Sequence, residues 1–283
     1  MGKIQGLLGL VLALGFAACT LQKSATVQSE NLNPIIGGVA LNNDSTLSQR
    51  VALLFNRKTN DVCTVSILNN QFALTAAHCV ADADAANLYL VFDVVVRKNS
   101  PIRRVASTAV SKYFKSENTR PRDTGDIALV RFADGVPRGF KAARFLPDMQ
   151  LLKTGVATTA VGYGATDEAK PQQAGSLHFA NLKIANSAYS DTEMTLAQTN
   201  NVGVCVGDSG GPVYHLLNGE FYLWGVISRS TSANCSEAAI VTNALVYLNW
   251  IQETVISMGR ENMELPDVSP TKSNETDFPV DFN

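Results

Sequence analysis

Nothing in this chain constrains its folding as closely as the hexapeptide Gly207-Asp208-Ser209-Gly210-Gly211-Pro212. Its glycines permit turns that a Cβ would obstruct, so the segment reads as a tight loop presenting a single hydroxyl, that of Ser209. On such a loop the backbone N–H groups of Gly207 and Ser209 can converge on one point and form an oxyanion hole. Each donor of that kind is worth roughly 2.7–4 kcal/mol of transition-state stabilisation. Alone, the hexapeptide also reads as an ordinary Gly/Pro/Asp/Ser surface turn. Its meaning depends on what else the chain carries.

A serine nucleophile needs a base to take its proton and an acid to hold that base in one tautomer. The chain has 3 His. His178 lies in the alternating run Ser176-Leu177-His178-Phe179-Ala180 and His215 follows Pro212-Val213-Tyr214, so both read as strand residues. His78 closes Leu74-Thr75-Ala76-Ala77-His78-Cys79, where small side chains leave room around an imidazole and a neighbouring cysteine can pin the backbone. It is the expected base. The expected acid is Asp126, at the mouth of the apolar run Ile127-Ala128-Leu129-Val130.

With those residues in view, the chain resembles the chymotrypsin and trypsin family of serine endopeptidases. The resemblance rests on Ile35-Ile36-Gly37-Gly38, Thr75-Ala76-Ala77-His78-Cys79, Asp126-Ile127-Ala128-Leu129 and the Ser209 hexapeptide, supported by Val161-Gly162-Tyr163-Gly164, and spans roughly Ile35 to Met258. The order His, Asp, Ser separates this family from subtilisin-like and α/β-hydrolase enzymes. The resemblance implies an all-β fold of two antiparallel six-stranded barrels and a C-terminal α-helix. His78 and Asp126 come from the first barrel and Ser209 from the second.

The periodicity agrees. Strand-like stretches run over 50–56, 63–68, 72–75, 88–96 and 127–132, then over 156–163, 177–184, 212–214, 221–228 and 239–242, with the division near 147. Leu248, Ile251, Val255 and Met258 recur at helical spacing, and Asn243 is the candidate cap. About 220 residues remain once the ends are set aside, enough for one β-rich unit with a substantial core.

The ends read as processing segments. Residues 1–18 are a short basic start, an apolar run and small residues, the pattern of a removable secretory signal too short for a comfortable membrane span. Phe16-Ala17-Ala18-Cys19 also resembles a bacterial lipobox, which implies lipidation of Cys19 and membrane attachment; ordinary cleavage near Ala17 or Ala18 is the alternative. Residues 19–34 are a propeptide or linker, 35–259 the protease domain, and 260–283 a polar, proline-containing tail expected to be mobile. The expected location is exported: extracellular, periplasmic or lipid-anchored at the outer membrane.

Setting Cys19 aside leaves 4 of the 5 Cys, an even set suited to an oxidising compartment. Four cysteines allow three pairings; the resemblance implies Cys63–Cys79 and Cys205–Cys235. A net charge of -2 with mixed signs argues against a nucleic-acid partner, and the His and Cys residues lack zinc-ligand spacing, so neither metal nor cofactor is expected. Protein or peptide substrates and a monomeric state are.

Family resemblance further implies that the first Ile of the mature chain pairs its freed amino group with the Asp beside the nucleophile, here Ile35 and Asp208. The preceding Pro34 departs from the Arg or Lys that a trypsin-like activator would recognise. It also places the primary pocket at Gly203, Val204, Ser228, Arg229, Ser230 and Ala239. No acid stands at the matched positions, so the expected pocket is uncharged, preferring apolar or small side chains. The competing functions are a catalytically silent binding protein on a protease scaffold and an esterase.

Overall fold

A computed structural model describes Gly2 and residues 38–115, 121–165, 174–198, 202–232, 235 and 237–259. The rest of the leader, Cys19, the segment through Pro34, Ile35 to Gly37 and the tail from Arg260 lie outside the described residues. In chain order the strands are β1 (Val39–Ala40), β2 (Val51–Asn56), β3 (Asp61–Ile67), β4 (Phe72–Thr75), β5 (Leu88–Val91), β6 (Ile102–Val110), β7 (Ala128–Phe132), β8 (Arg144–Phe145), β9 (Ala157–Gly162), β10 (His178–Asn186), β11 (Glu193–Ala197), β12 (Pro212–Leu217), β13 (Glu220–Ser230) and β14 (Ala238–Asn243). Helix α1 (Leu248–Gly259) follows them.

β2 pairs with both β3 and β5, which closes the first barrel in the order β2-β3-β4-β7-β6-β5. β10 pairs with both β9 and β11, closing the second as β9-β10-β11-β14-β13-β12. Both barrels are antiparallel throughout, with β1 added beside β10 and β8 running parallel to β13. Closure leaves each ring without a free edge to template aggregation.

β2, β4 and β7 read as continuous apolar runs because both of their faces are buried. Side chains alternate across a strand. In β2, Ala52 and Leu54 fill the first barrel together with Val65, Ile67 and Val130, while Val51 and Leu53 turn outward into a cluster shared with the second barrel. In β9, Ala160 points into the second barrel beside Trp224 and Leu196, and Val161 points into the shared cluster. Burying one such side chain contributes roughly 1.5–3 kcal/mol. The shared cluster therefore fixes how the barrels sit on each other.

Asn243 caps the chain entering the last helix, but not the helix itself. Its side chain accepts the Leu245 N–H at 3.2 Å and starts the 3-10 turn Ala244–Tyr247, which runs directly into α1. Leu248, Ile251 and Val255 then line one buried stripe against the shared cluster, as their spacing requires.

Besides the two-residue β1 and β8, the strands β6 and β11 lie outside the stretches expected from the sequence. β6 is mostly half-buried, with Val105 its one buried residue, and carries a bulge between Val105 and Ser107, which breaks its alternation. β11 is only five residues long; Glu193-Met194-Thr195-Leu196 alternates polar and apolar, yet both faces are buried, Glu193 and Thr195 about as fully as Met194 and Leu196.

Candidate active site

β4 and β7 are paired neighbours, with Thr75 opposite Ala128, so the turn after β4 and the loop before β7 emerge at the same rim of the first barrel. The turn, Ala77–Cys79, carries His78; the loop ends in Asp126. His78 Nδ1 lies 2.8 Å from Asp126 Oδ2, and the His78 backbone N–H donates to Oδ1 at 2.9 Å. Ser228 Oγ donates to Oδ2 at 2.6 Å, and the Asp126 carbonyl accepts the Thr242 hydroxyl at 3.1 Å.

Burial raises the Asp126 carboxyl, but the His78 hydrogen bond and charge, the Ser228 hydroxyl and the His78 N–H together hold it below its ordinary value. An ionised carboxylate only accepts hydrogen bonds, so Nδ1 carries the imidazole proton and Nε2 is left as the basic nitrogen. The side chain of His78 is 40% exposed while that of Asp126 is 5% exposed. The base faces the cleft and the acid lies behind it.

Ser209 arrives from the second barrel. Cys79 Sγ lies 3.7 Å from both His78 Nε2 and the Ser209 carbonyl oxygen, so the imidazole and the serine backbone lie within twice that distance of each other. Thr64 N–H holds the Ser209 carbonyl at 2.8 Å.

The peptide planes of this loop are fixed through their carbonyls. The Val206 carbonyl accepts the Ala165 N–H at 2.9 Å, and the Asp208 carbonyl accepts the Gly211 N–H at 2.8 Å. In a trans peptide the N–H points opposite to its C=O, so the Gly207 and Ser209 N–H groups are turned away from those partners. Among the described residues neither finds an acceptor, whereas the N–H groups of Asp208, Gly210 and Gly211 all do. Gly207 at φ +95° and Gly210 at φ +81° hold conformations an L side chain rarely adopts, and a Cβ on Gly207 would lie 2.8 Å from Gly164 Cα.

His78 and Ser209 line both of two adjoining cavities, of about 460 and about 430 Å³. Asp126, Val204, Ser228, Arg229 and Ser230 line the first, and Gly207 lines the second with Asp61, Asp82 and Leu54. Gly203 and Ala239, also expected at the pocket, line neither cavity. Gly203 lies where a Cβ would collide with the Gln198 side chain, and Ala239 is fully buried in the second barrel.

Asp208 is fully buried, accepting the Gly164 N–H at 2.8 Å and the Cys205 N–H at 2.9 Å. Burial pushes its carboxyl up to about 7, which those two donors only partly oppose. Its expected partner, Ile35, lies outside the described residues.

The bonds Cys63–Cys79 and Cys205–Cys235 are both formed, the first beside His78 and the second lining the 460 Å³ cavity. Two disulfides fit a chain exported to an oxidising compartment. Cys63, Cys79 and His78 cluster within 4.8 Å, but both sulfurs belong to the disulfide, which leaves no thiolate to bind a metal. His178 is a packing residue: burial pushes its imidazole down to about 4, partly opposed by the Ser176 carbonyl at 3.0 Å.

Sequence reasoning missed several supports of this site. Thr64 Oγ1 donates to the Gly207 carbonyl at 2.9 Å and accepts the Tyr163 N–H at 3.1 Å, joining the barrels under the Ser209 loop. Gln198 accepts the Val204 N–H at 2.6 Å and donates to the Cys235 carbonyl at 2.9 Å, closing the cavity from behind. Glu193, Thr124 and the hydroxyl of Ser228 belong to the same surroundings. No local pattern marks them, because their partners lie far off in the chain.

Paired antiparallel barrels with a carboxylate-bound imidazole and a loop-borne serine at their junction define a serine hydrolase. The model of the trypsin family matches residues 35–251, and the chain belongs to that family. It is 27% identical over 265 residues to chymotrypsin-like elastase family member 1 of Macaca fascicularis, covering 86% of this chain and 98% of that protein. It is 29% identical over 239 residues to the snake venom serine protease ussurase of Gloydius ussuriensis, covering 78% of this chain and 96% of that protein. The protein is thus a serine endopeptidase acting on peptide or protein substrates.

Proposed function

We propose that Ser209, His78 and Asp126 form the catalytic triad of this endopeptidase. The observation that carries the reading is the 2.8 Å contact of Asp126 with His78 Nδ1, which leaves Nε2 basic at the cleft that Ser209 lines. Ser209 Oγ attacks the peptide carbonyl carbon as its proton passes to His78 Nε2. The carbonyl oxygen, now an oxyanion, takes hydrogen bonds from the Gly207 and Ser209 N–H groups. Collapse expels the amine, which takes the proton from His78, and leaves an acyl-enzyme. Water, deprotonated by His78, then attacks the ester; the bond to Ser209 Oγ breaks, His78 returns the proton to that oxygen and the carboxylic acid product leaves. Asp126 keeps the imidazole in its tautomer and stabilises the imidazolium throughout.

The primary pocket is read as uncharged. Val204, Cys205, Ile227, Ser228 and Ser230 line that side of the cleft, and among the described residues Arg229 is the one charged residue lining it besides Lys115 and the triad. Its charge is matched by Glu193 at 2.9 Å. The reading favours apolar or small side chains before the scissile bond, and a peptide panel cleaved only after Arg or Lys would overturn it.

Activation is read as release of the Ile35 amino group and its pairing with Asp208, whose buried carboxylate gains from a cation what it lacks in neighbours. Residues 1–18 then act as the export signal, 19–34 as a propeptide and 260–283 as a tail on a monomeric domain. Cys19 is read as the lipid attachment point of a bacterial chain on Phe16-Ala17-Ala18-Cys19 alone; the relatives named above are animal proteins. Mapping the mature N-terminus while assaying casein cleavage tests these assignments together. Active material beginning well before Ile35 would refute the activation route, and an acyl-cysteine at the N-terminus of the unprocessed chain would identify the anchor.

A further inference from the structure

Arg229 lines the cleft, yet its guanidinium is committed elsewhere. Nη1 and Nη2 meet Glu193 as a fork, 2.9 Å to Oε1 and 3.0 Å to Oε2, and Nη2 also donates to the Pro121 carbonyl at 2.8 Å. The Glu193 side chain is 0% exposed. Its carboxylate further accepts the Thr124 hydroxyl at 2.7 Å, the Thr124 N–H at 3.2 Å and the Asp123 N–H at 3.1 Å. Asp123 Oδ1 in turn accepts the Thr192 N–H at 2.9 Å and its hydroxyl at 2.8 Å.

These contacts have one pattern. Pro121, Asp123 and Thr124 belong to the loop of the first barrel that ends in Asp126, whereas Thr192, Glu193 and Arg229 belong to the second. Arg229 Nη1 also lies 3.2 Å from Ser228 Oγ, the hydroxyl that donates to Asp126 at 2.6 Å.

We infer that Glu193 and Arg229 form a clamp that positions Asp126, fastening its loop to the second barrel and setting the Ser228 hydroxyl against its carboxylate. Arg229 is thereby a positioning residue and not a substrate contact. The choice of residues fits the task. A guanidinium and a carboxylate meet in one plane through two parallel bonds, so the pair fixes direction as well as distance, which a lysine cannot do. A fully buried carboxylate with several donors is justified by the arrangement it specifies more than by net stability. The loop it holds ends in a group whose angle to the imidazole decides the rate, and displacement of a reacting group by about 1 Å can cost on the order of 10²-fold.

The inference rests on the triad reading above, so its test needs a readout besides turnover. In the processed enzyme, Glu193→Gln, Arg229→Lys and Arg229→Met are compared with wild type for kcat, KM and the proton NMR resonance of His78 Nδ1–H. The clamp predicts that Glu193→Gln lowers kcat on the order of 10²-fold with KM nearly unchanged and displaces or broadens that resonance. Arg229→Lys, which keeps the charge but loses the fork, falls between wild type and Arg229→Met. Folded variants with wild-type kcat and an unmoved resonance overturn the clamp, and so does a rise in KM alone. Should Glu193→Gln fail to fold, Thr124→Val removes one hydroxyl from the same carboxylate; a moved resonance with lower kcat supports the clamp, and no change in either overturns it. A wild-type chain without turnover whose resonance still responds to Glu193→Gln keeps the clamp and sinks the triad reading. A Ser209-dependent protease whose resonance ignores Glu193→Gln sinks the clamp alone.

Discussion

Replacing Asp126 by Asn exchanges one carboxylate oxygen for an NH2 group and leaves the shape intact, so its effect isolates the electronic role of the carboxylate. In the wild type Oδ1 and Oδ2 are both acceptors: of the His78 N–H at 2.9 Å, and of His78 Nδ1–H at 2.8 Å with the Ser228 hydroxyl at 2.6 Å. The amide offers one oxygen and one NH2. With the NH2 on the Oδ1 side, two donors face each other in a buried pocket. With the NH2 on the Oδ2 side, it donates to Nδ1, which must give up its proton and move it to Nε2. An imidazole protonated at Nε2 cannot take the Ser209 proton. By analogy with triads of this geometry, kcat should fall about 10⁴-fold at neutral pH, or about 5 kcal/mol of barrier. Steady-state hydrolysis of a peptide amide by the processed enzyme measures it, with a melting curve as control for folding. A folded Asp126→Asn enzyme within tenfold of wild type would show that the 2.8 Å contact is not part of the chemistry.

Further expectations concern the Ser209 loop and its surroundings. In the unprocessed chain Asp208 is held near 7 by burial, against about 3.9 when unfolded. The native state therefore keeps a proton that the unfolded state releases, so the contribution of Asp208 to stability is greatest below about pH 4 and is lost as pH rises to about 7, by roughly 3–4 kcal/mol, opposite in sign to that of Asp126, which is lost in acid. Processing at Ile35 should flatten that dependence, and identical melting profiles before and after processing would contradict the pairing. Gly210→Ala should destabilise the fold by more than the roughly 1–2 kcal/mol of the left-handed backbone alone, because the new Cβ meets the Thr64 carbonyl and the Thr75 hydroxyl. A denaturant titration matching wild type would refute that geometry. Opening Cys205–Cys235, which closes a separation of 30 residues, should cost roughly 3–4 kcal/mol on the chain-entropy account and lower kcat by loosening the cavity wall. A Cys205→Ala/Cys235→Ala enzyme of wild-type stability and rate would contradict both.

The legible parts of this molecule are those encoded by neighbours in the chain. The Ser209 loop is readable because its glycines and proline act locally, and His78 because small residues and a cysteine flank it. The paired barrels follow from strand-length apolar runs, since β2, β4 and β7 bury both faces. The illegible parts depend on partners that only the fold assembles. Glu193 looks like a surface residue in a polar stretch until Arg229, 36 positions on, is brought against it. Ser228 was expected as pocket wall, and its bond to Asp126, 102 positions away, has no local signature. The family resemblance puts Gly203 at the pocket, but Gln198 fills the space behind Val204 and Gly203 does not line the cavity.

The account stands on Ser209 being a nucleophile made reactive by His78. Treating the processed protein with a fluorophosphonate and weighing it intact tests this directly. The expected result is a single adduct on Ser209, absent from Ser209→Ala and formed far more slowly in His78→Ala. A processed, folded chain that takes no adduct, or one labelled equally after Ser209→Ala, would contradict it.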